Sequence, residues 1–156
     1  MFAHMDCYGV RQAPHGGHWL CDPCALGLPA PPPCALCPVA GGALKRSTCG
    51  RWAHVACALW FEEARLRPEL GVHGVLAGLV EGLPAVHASR FRLKCALCAQ
   101  PHGACVQCCA ERCYTGMHPL CARAARDCLT QVWGRRGGGG LVPKVVHCPW
   151  PLLHGP

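Results

Sequence analysis

Cys34-Ala35-Leu36-Cys37, followed sixteen residues later by His54-Val55-Ala56-Cys57, is the stretch that decides the fold. A two-residue gap lets a tight turn present two soft donors to one tetrahedral ion at roughly 2.0–2.3 Å, so two such pairs close a four-coordinate structural site. Working outward, comparable pairs lie on both sides. His4/Cys7 and Cys21/Cys24 precede this stretch; Cys95/Cys98, Cys108/Cys113 and His118/Cys121 follow it. One pair means little, but an ordered procession of them is hard to obtain by accident.

The chain has 156 residues with 16 Cys, 19 Gly and 15 Pro, but only five Trp, three Phe and two Tyr. A large continuous core is not expected, and small modules whose area burial barely offsets chain entropy need staples. Thiols can staple as disulfides or as metal ligands. Histidines at His-x2-Cys spacing serve no purpose in a disulfide framework and are good zinc donors. No basic segment leads into an apolar run near the N-terminus, and the apolar stretch Val75–Leu83 is interrupted by Gly78 and Glu81. Secretion and membrane spanning are therefore unsupported, and zinc in a reducing compartment is the expectation. The formal charge is +7. Each Cys3His zinc site carries a net −1, so two filled sites leave about +5. That surface suits nucleic acid or an acidic partner.

Composition divides the chain into segments. Residues 1–27 read as loops around short strands, and 28–33 form a stiff spacer around Pro31-Pro32-Pro33. Residues 34–60 hold a complete knuckle, with a strand expected at Ala43–Arg46 and a short helix over Trp52–Trp60 carrying His54 and Cys57 on one face. Residues 61–94 contain no Cys and read as a linker with some structure, ending in Arg90–Lys94, whose alternation predicts a strand. Residues 95–128 have the ligand order of a cross-braced finger, in which pairs one and three share one ion and pairs two and four another. A helix is expected around Leu120–Cys128. Residues 129–156, rich in Gly and Pro, read as an irregular tail whose leftover donors are Cys128, His147, Cys148 and His154.

These residues resemble the PHD–knuckle–extended-PHD cassette of chromatin proteins, and most closely that of plant trithorax-like histone methyltransferases. The resemblance is carried by His4-x2-Cys7-Tyr8-Gly9, Trp19-Leu20-Cys21-x2-Cys24, Cys34-x-Leu36-Cys37-Pro38 and Gly50-Arg51-Trp52-Ala53-His54-x2-Cys57. It continues through His102-Gly103-Ala104-Cys105-Val106-Gln107-Cys108 and His118-Pro119-Leu120-Cys121. Similar cassettes occur in Jumonji-type demethylases and acetyltransferase scaffold subunits. The resemblance implies small zinc-stabilised α+β modules with little regular structure: a knuckle plus an extended cross-brace finger. Cys34, Cys37, His54 and Cys57 would hold one zinc, and Cys95, Cys98, His118 and Cys121 a second. Cys108 and Cys113 would open a further site, closed by Cys148 with His147 or His154. Cys105 would be a packing thiol, and Cys49 and Cys109 are read as buried or half-buried in the same way. The first finger lacks its opening pairs. His4/Cys7 and Cys21/Cys24 are then half-sites of a domain that begins before residue 1, in a piece of a histone-modifying protein, or they collapse onto one improvised Cys3His site.

A zinc site closed by four protein donors keeps no open position for substrate, and no methyltransferase donor loop is recognisable, so the chain itself is not expected to be an enzyme. Three readings follow. The first is a nuclear reader that adds a histone tail to a short strand and anchors its ammonium groups. The second is sequence-independent DNA contact through Lys45, Arg46, Arg51, Arg90, Arg92 and Lys94. The third is a protein-interaction scaffold. Trp52, beside a ligand, is expected in the core, whereas Trp60 is open to a partner.

Overall fold

The structure is a computed structural model that describes Tyr8, residues 20–67, 78–110 and 112–125, and the backbone of 133–135 and 141–143. Chain order begins with helix α1 (Asp22–Ala25), then strands β1 (Leu44–Arg46) and β2 (Trp52–His54), helix α2 (Val55–Ala58), and strands β3 (Arg65–Arg67) and β4 (Leu79–Glu81). A 3-10 turn at Leu83–Ala85 leads to helix α3 (Ala88–Arg92). Strands β5 (Val106–Gln107) and β6 (Gly116–Met117), helix α4 (Pro119–Ala124), and strands β7 (Trp133–Arg135) and β8 (Leu141–Pro143) complete it. Consecutive strands pair as antiparallel two-stranded sheets. Isolated hairpins of this length are marginal in water, so the order must come from what they pack against.

One apolar cluster supplies part of that order. Leu36, Leu44, Phe61, Val80, Leu83 and Met117 are buried together with Ala53, Ala58, Ala104 and Ala122. The cluster runs without a break from the knuckle through the intervening segment into the extended finger. Helix α2 packs on α4, and β1 contacts β4, where the Thr48 N–H donates to the Val80 carbonyl at 3.0 Å. The segment between the two zinc modules is thus part of the core.

The modules are also joined by their backbones. The Ala104 N–H donates to the Leu36 carbonyl at 3.1 Å, and His102 Nε2 lies 3.0 Å from the Cys34 carbonyl. Between them Gly103 has φ +101, and a Cβ there would stand 2.6 Å from the Leu36 oxygen and 2.8 Å from Cys37 Cα. Only glycine permits both that conformation and that approach.

On the other side of the knuckle, buried Tyr8 donates its hydroxyl to the Leu44 carbonyl at 2.6 Å and accepts from the Asp22 N–H at 2.9 Å. Lys45 Nζ is 3.1 Å from Asp22 Oδ1 and 4.2 Å from the centre of the Tyr8 ring. Burial raises the Asp22 carboxyl and lowers the Lys45 ammonium pKa, in each case against the attraction of the other. The pair therefore fixes geometry more than it adds stability, but removing one member strands a buried charge.

Several expectations are corrected. His54 ends strand β2, and only Val55–Ala58 is helical. Arg90–Lys94 is not a strand: Ala88–Arg92 forms α3, because the His87 side chain accepts from the Ser89 N–H at 3.3 Å and caps it. Phe91 and Leu93 then pack on the core. Lys45, read as a DNA contact, is 2 % exposed and held by Asp22. The tail read as irregular contains the hairpin of β7 and β8, with Gly134 opposite Val142.

Asp22→Ala is expected to lower unfolding stability by about 3–5 kcal/mol, measured by denaturant titration of the zinc-loaded protein. Combining Asp22→Leu with Lys45→Met should recover most of the loss, because neither charge is then left unpaired.

Candidate metal centre

Each finger closes its first four donors by the same local device. Cys34 and Cys37 come from a turn that docks on β2, where the Ala35 N–H donates to the Trp52 carbonyl at 2.8 Å. His54 ends β2 with extended φ −62 and ψ 137, so its ring leaves the strand just as helix α2 starts, and Cys57 follows in the first turn of α2. In the extended finger His118 has φ −67 and ψ 143 after β6, and Cys121 lies in the first turn of α4. A donor before the helix and another three residues later face the same point, which is why His-x2-Cys recurs.

In the knuckle the donor atoms of Cys34, Cys37, His54 and Cys57 lie within 4.8 Å of one another, and all four residues are buried. His54 Nδ1 is 3.3 Å from Cys37 Sγ and 3.8 Å from Cys57 Sγ. Its Nε2–H donates to the Gly41 carbonyl at 2.5 Å, which fixes the tautomer that presents Nδ1 to the sulfurs. Cys34 Sγ accepts from the Leu36 and His54 amides, each at 3.3 Å. Hydrogen bonds from Cys37 and Cys57, with the His54 contacts, hold the Cys34 thiol far below its usual range, and Cys57 is correspondingly pushed up. Burial disfavours charge on His54, but the Cys34 and Cys37 sulfurs outweigh it and raise its pKa to about 10. The sulfur cage therefore demands a positive charge, which an imidazolium proton or a divalent ion supplies.

Cys95, Cys98, His118 and Cys121 also lie within 4.8 Å of one another. His118 Nδ1 is 3.4 Å from Cys98 Sγ and 3.7 Å from Cys121 Sγ, and Cys95 Sγ accepts from the His118 amide at 3.4 Å. Burial raises Cys121 and opposes ionisation of Cys95, whose pKa nevertheless falls because the Cys98, His118 and Leu97 amides point at it. Burial lowers His118, although the His102 carbonyl favours the proton. His118 Nε2 is a buried atom with no hydrogen-bond partner.

Three sulfurs and one imidazole nitrogen per site are the donor set of structural zinc. Among the described residues the chain thus carries two Cys3His zinc sites. Zinc bound there would supply the cross-link that orders each module.

The remaining proposed donors fall elsewhere. Cys108 is buried, with its N–H on the Thr115 carbonyl at 2.8 Å, and Cys113 Sγ lies 3.3 Å from Thr115 Oγ1. Among the described residues neither joins a group of three donors. Cys21 precedes α1 and Cys24 lies within it; a hydrogen bond donated by the Cys24 thiol to Cys21 raises its pKa. His4, Cys7 and Cys148, with Cys128, His147 and His154, lie outside the described residues.

Of the thiols read as packing, Cys105 is fully buried, donates to the Leu93 carbonyl at 3.5 Å and is pushed up to about 12 by burial. Cys49 and Cys109 are exposed, contrary to expectation. Cys49 sits in the β1–β2 loop, where slight burial is outweighed by Ser47 and Arg51, and its pKa falls to about 7. Its place on a hairpin end, invisible in composition, decides its exposure.

Sequence reasoning missed a cleft of about 540 Å³ lined by Trp60, Glu62, Glu63, α3 and Cys105–Gln107. Trp60, expected to be open to a partner, and the acidic pair that follows Phe61 were its signals.

A donor-closed pair of Cys3His sites, each sealed where a hairpin strand meets a helix, defines a tandem zinc-finger module of the PHD type. The chain belongs to the PHD-zinc-finger like domain family, whose pattern it matches over residues 32–137. It is 43 % identical over 130 residues to the histone H3-lysine(4) N-trimethyltransferase ATX1 of Arabidopsis thaliana, covering 83 % of this chain and 12 % of that protein. It is 39 % identical over 123 residues to human bromodomain and PHD finger-containing protein 3, covering 78 % of this chain and 10 % of the relative. The crystal structure of zebrafish PHF14-PZP superposes with a TM-score of 0.63 at 28 % identity, covering 93 % of this chain and 71 % of that one. The chain spans about an eighth of the length of the plant methyltransferases it matches. Its relatives include histone-modifying and PHD-containing chromatin proteins, and the matched region is a zinc-finger module rather than a catalytic domain.

Cys57→Ser is expected to remove one zinc per chain relative to the unmodified protein, counted by native mass spectrometry. Stripping all zinc with a chelator should abolish cooperative thermal unfolding, because the metal's binding free energy is folding free energy.

Proposed function

We propose that this chain is a nuclear, chromatin-associated module that holds the basic tail of a histone in the cleft beside Trp60, with two structural zinc ions bound by Cys34, Cys37, His54 and Cys57 and by Cys95, Cys98, His118 and Cys121. The observation that carries this reading is the combination of an open strand edge and an unpaired carboxylate in that cleft.

Cys108 donates to Thr115, so in the β5–β6 register Val106 and Cys108 turn their backbone groups toward β6 and Gln107 turns its own away. On β6 the outward Gly116 carbonyl already accepts from Ala96 at 2.9 Å. On β5 the Cys105 N–H is used by the Arg90 carbonyl at 3.0 Å. The Gln107 backbone N–H and C=O, among the described residues, have no partner. An extended peptide could pair there by strand addition.

The same cleft holds Glu62 and Glu63, and Glu63 Oε2 is buried without a hydrogen-bond donor. A buried carboxylate oxygen without a donor costs on the order of 1–3 kcal/mol, more if charged, so a ligand cation that satisfies it gains that much. Arg90 also lines the cleft, but its guanidinium is stacked 5.4 Å from the Phe61 ring centre. Half-buried Trp60 offers a π face for a Lys or methyl-Lys ammonium. On a chain of net charge +7, an acidic aromatic cleft selects a cation.

A second reading, contact with nucleosomal DNA, is favoured by the exposure of Arg46, Arg51, Arg92 and Lys94. The full-length relatives' methyltransferase activity is not assigned to this chain; its role here is recognition. The scaffold alternative differs from both in predicting no affinity for histone peptides or DNA.

Trp60→Ala and Glu63→Gln should each weaken binding of a Lys/Arg-rich histone-tail peptide about tenfold, read by fluorescence anisotropy, while native mass spectrometry shows zinc content unchanged. Equal binding by both variants and the parent would remove the cleft from the account. For DNA, four phosphate contacts predict that log K falls with log salt at a slope of about −3.6; a flat titration on a short duplex would eliminate that reading.

A further inference from the structure

The two zinc sites do not stand apart. Both carbonyls offered by the Cys34-x2-Cys37 turn to its neighbours are taken by one segment of the other finger: Leu36 by the Ala104 amide at 3.1 Å and Cys34 by His102 Nε2 at 3.0 Å. That segment lies between Cys98 and Cys108, within the loop that the second donor set closes. Gly103 packs so closely on the turn that a Cβ there would stand 2.6–2.8 Å from the Leu36 carbonyl and Cys37 Cα, so the turn and the segment cannot shift independently. The same segment is bounded in sequence by Cys98 and His118, two donors of the second set. The Cys34-x2-Cys37 turn is therefore bonded directly to the loop that the second donor set closes, and α2 packs on α4 alongside it.

We infer that zinc binding at the two Cys3His sites is positively coupled, with His102-Gly103-Ala104 as the coupling element and His102 and Gly103 as positioning residues that contact no metal. This rests on the assignment of both donor sets to zinc. Physically, an ion at either site orders one face of the shared backbone contact. The other site then forms without bearing that ordering cost, which is positive cooperativity by reciprocal linkage.

The test is a double-mutant cycle on the full chain, with zinc affinity of the knuckle site read by competition against a chromophoric chelator and ions counted by native mass spectrometry. Disabling the second site with Cys95→Ser plus Cys121→Ser should weaken the knuckle site about tenfold, within the range of ordinary couplings. In a His102→Ala background, which deletes one exposed ring and leaves the backbone intact, the same disablement should cost less than threefold. Gly103→Val should abolish the difference altogether or, if it prevents folding, drop both ions together. Knuckle affinity that ignores the state of the second site in the parent chain overturns the coupling. A coupling undiminished by His102→Ala removes that residue's role. Absence of zinc from the parent chain overturns the zinc assignment itself and the coupling with it.

Discussion

Everything in this fold depends on four soft donors meeting at one point, twice. Strands of two or three residues and helices of four to six cannot hold themselves together. What makes them persist is that a turn, a strand end and a helix start must converge for Cys, Cys, His and Cys to share an ion. The geometry supports this directly. Each His closes with its Nδ1 toward the sulfurs, His54 is locked from behind by the Gly41 carbonyl, and amides donate to the first thiolate of each set. These contacts lower the cost of gathering thiolates, and a divalent cation completes the balance.

The second layer joins the modules. The apolar cluster is thin, built as much from Ala and Cys as from large side chains, so close backbone approach replaces bulk. Gly103 against Leu36 is one such contact; Tyr8 and Asp22 against Leu44 and Lys45 are the other. Between them the knuckle is gripped from both sides. The cleft proposed for a basic tail is a consequence, since its walls come from the end of the knuckle, helix α3 and strand β5.

The donor sets were legible in sequence because metal chemistry imposes spacing. Cys-x2-Cys and His-x2-Cys survive as patterns whatever surrounds them, and the structure gathers the knuckle set and the first extended-finger set as their order suggested. Side-chain exposure was not legible in the same way. Lys45 reads as one of several surface cations, and only the fold reveals that Asp22, twenty-three positions earlier, draws it inside. Arg90–Lys94 alternates like a strand, but five residues cannot distinguish a period of two from a helical turn, and a His87 cap decided for helix. The strand edge at Gln107 and the orphaned oxygen of Glu63 depend on register and on long-range packing, which no local pattern encodes.

Zinc K-edge X-ray absorption on the purified chain addresses the central claim most directly. The account predicts a first shell of about three sulfurs near 2.3 Å and one nitrogen near 2.0 Å per zinc. A shell dominated by oxygen, or a protein whose thiols are paired as disulfides and hold no zinc, would contradict it.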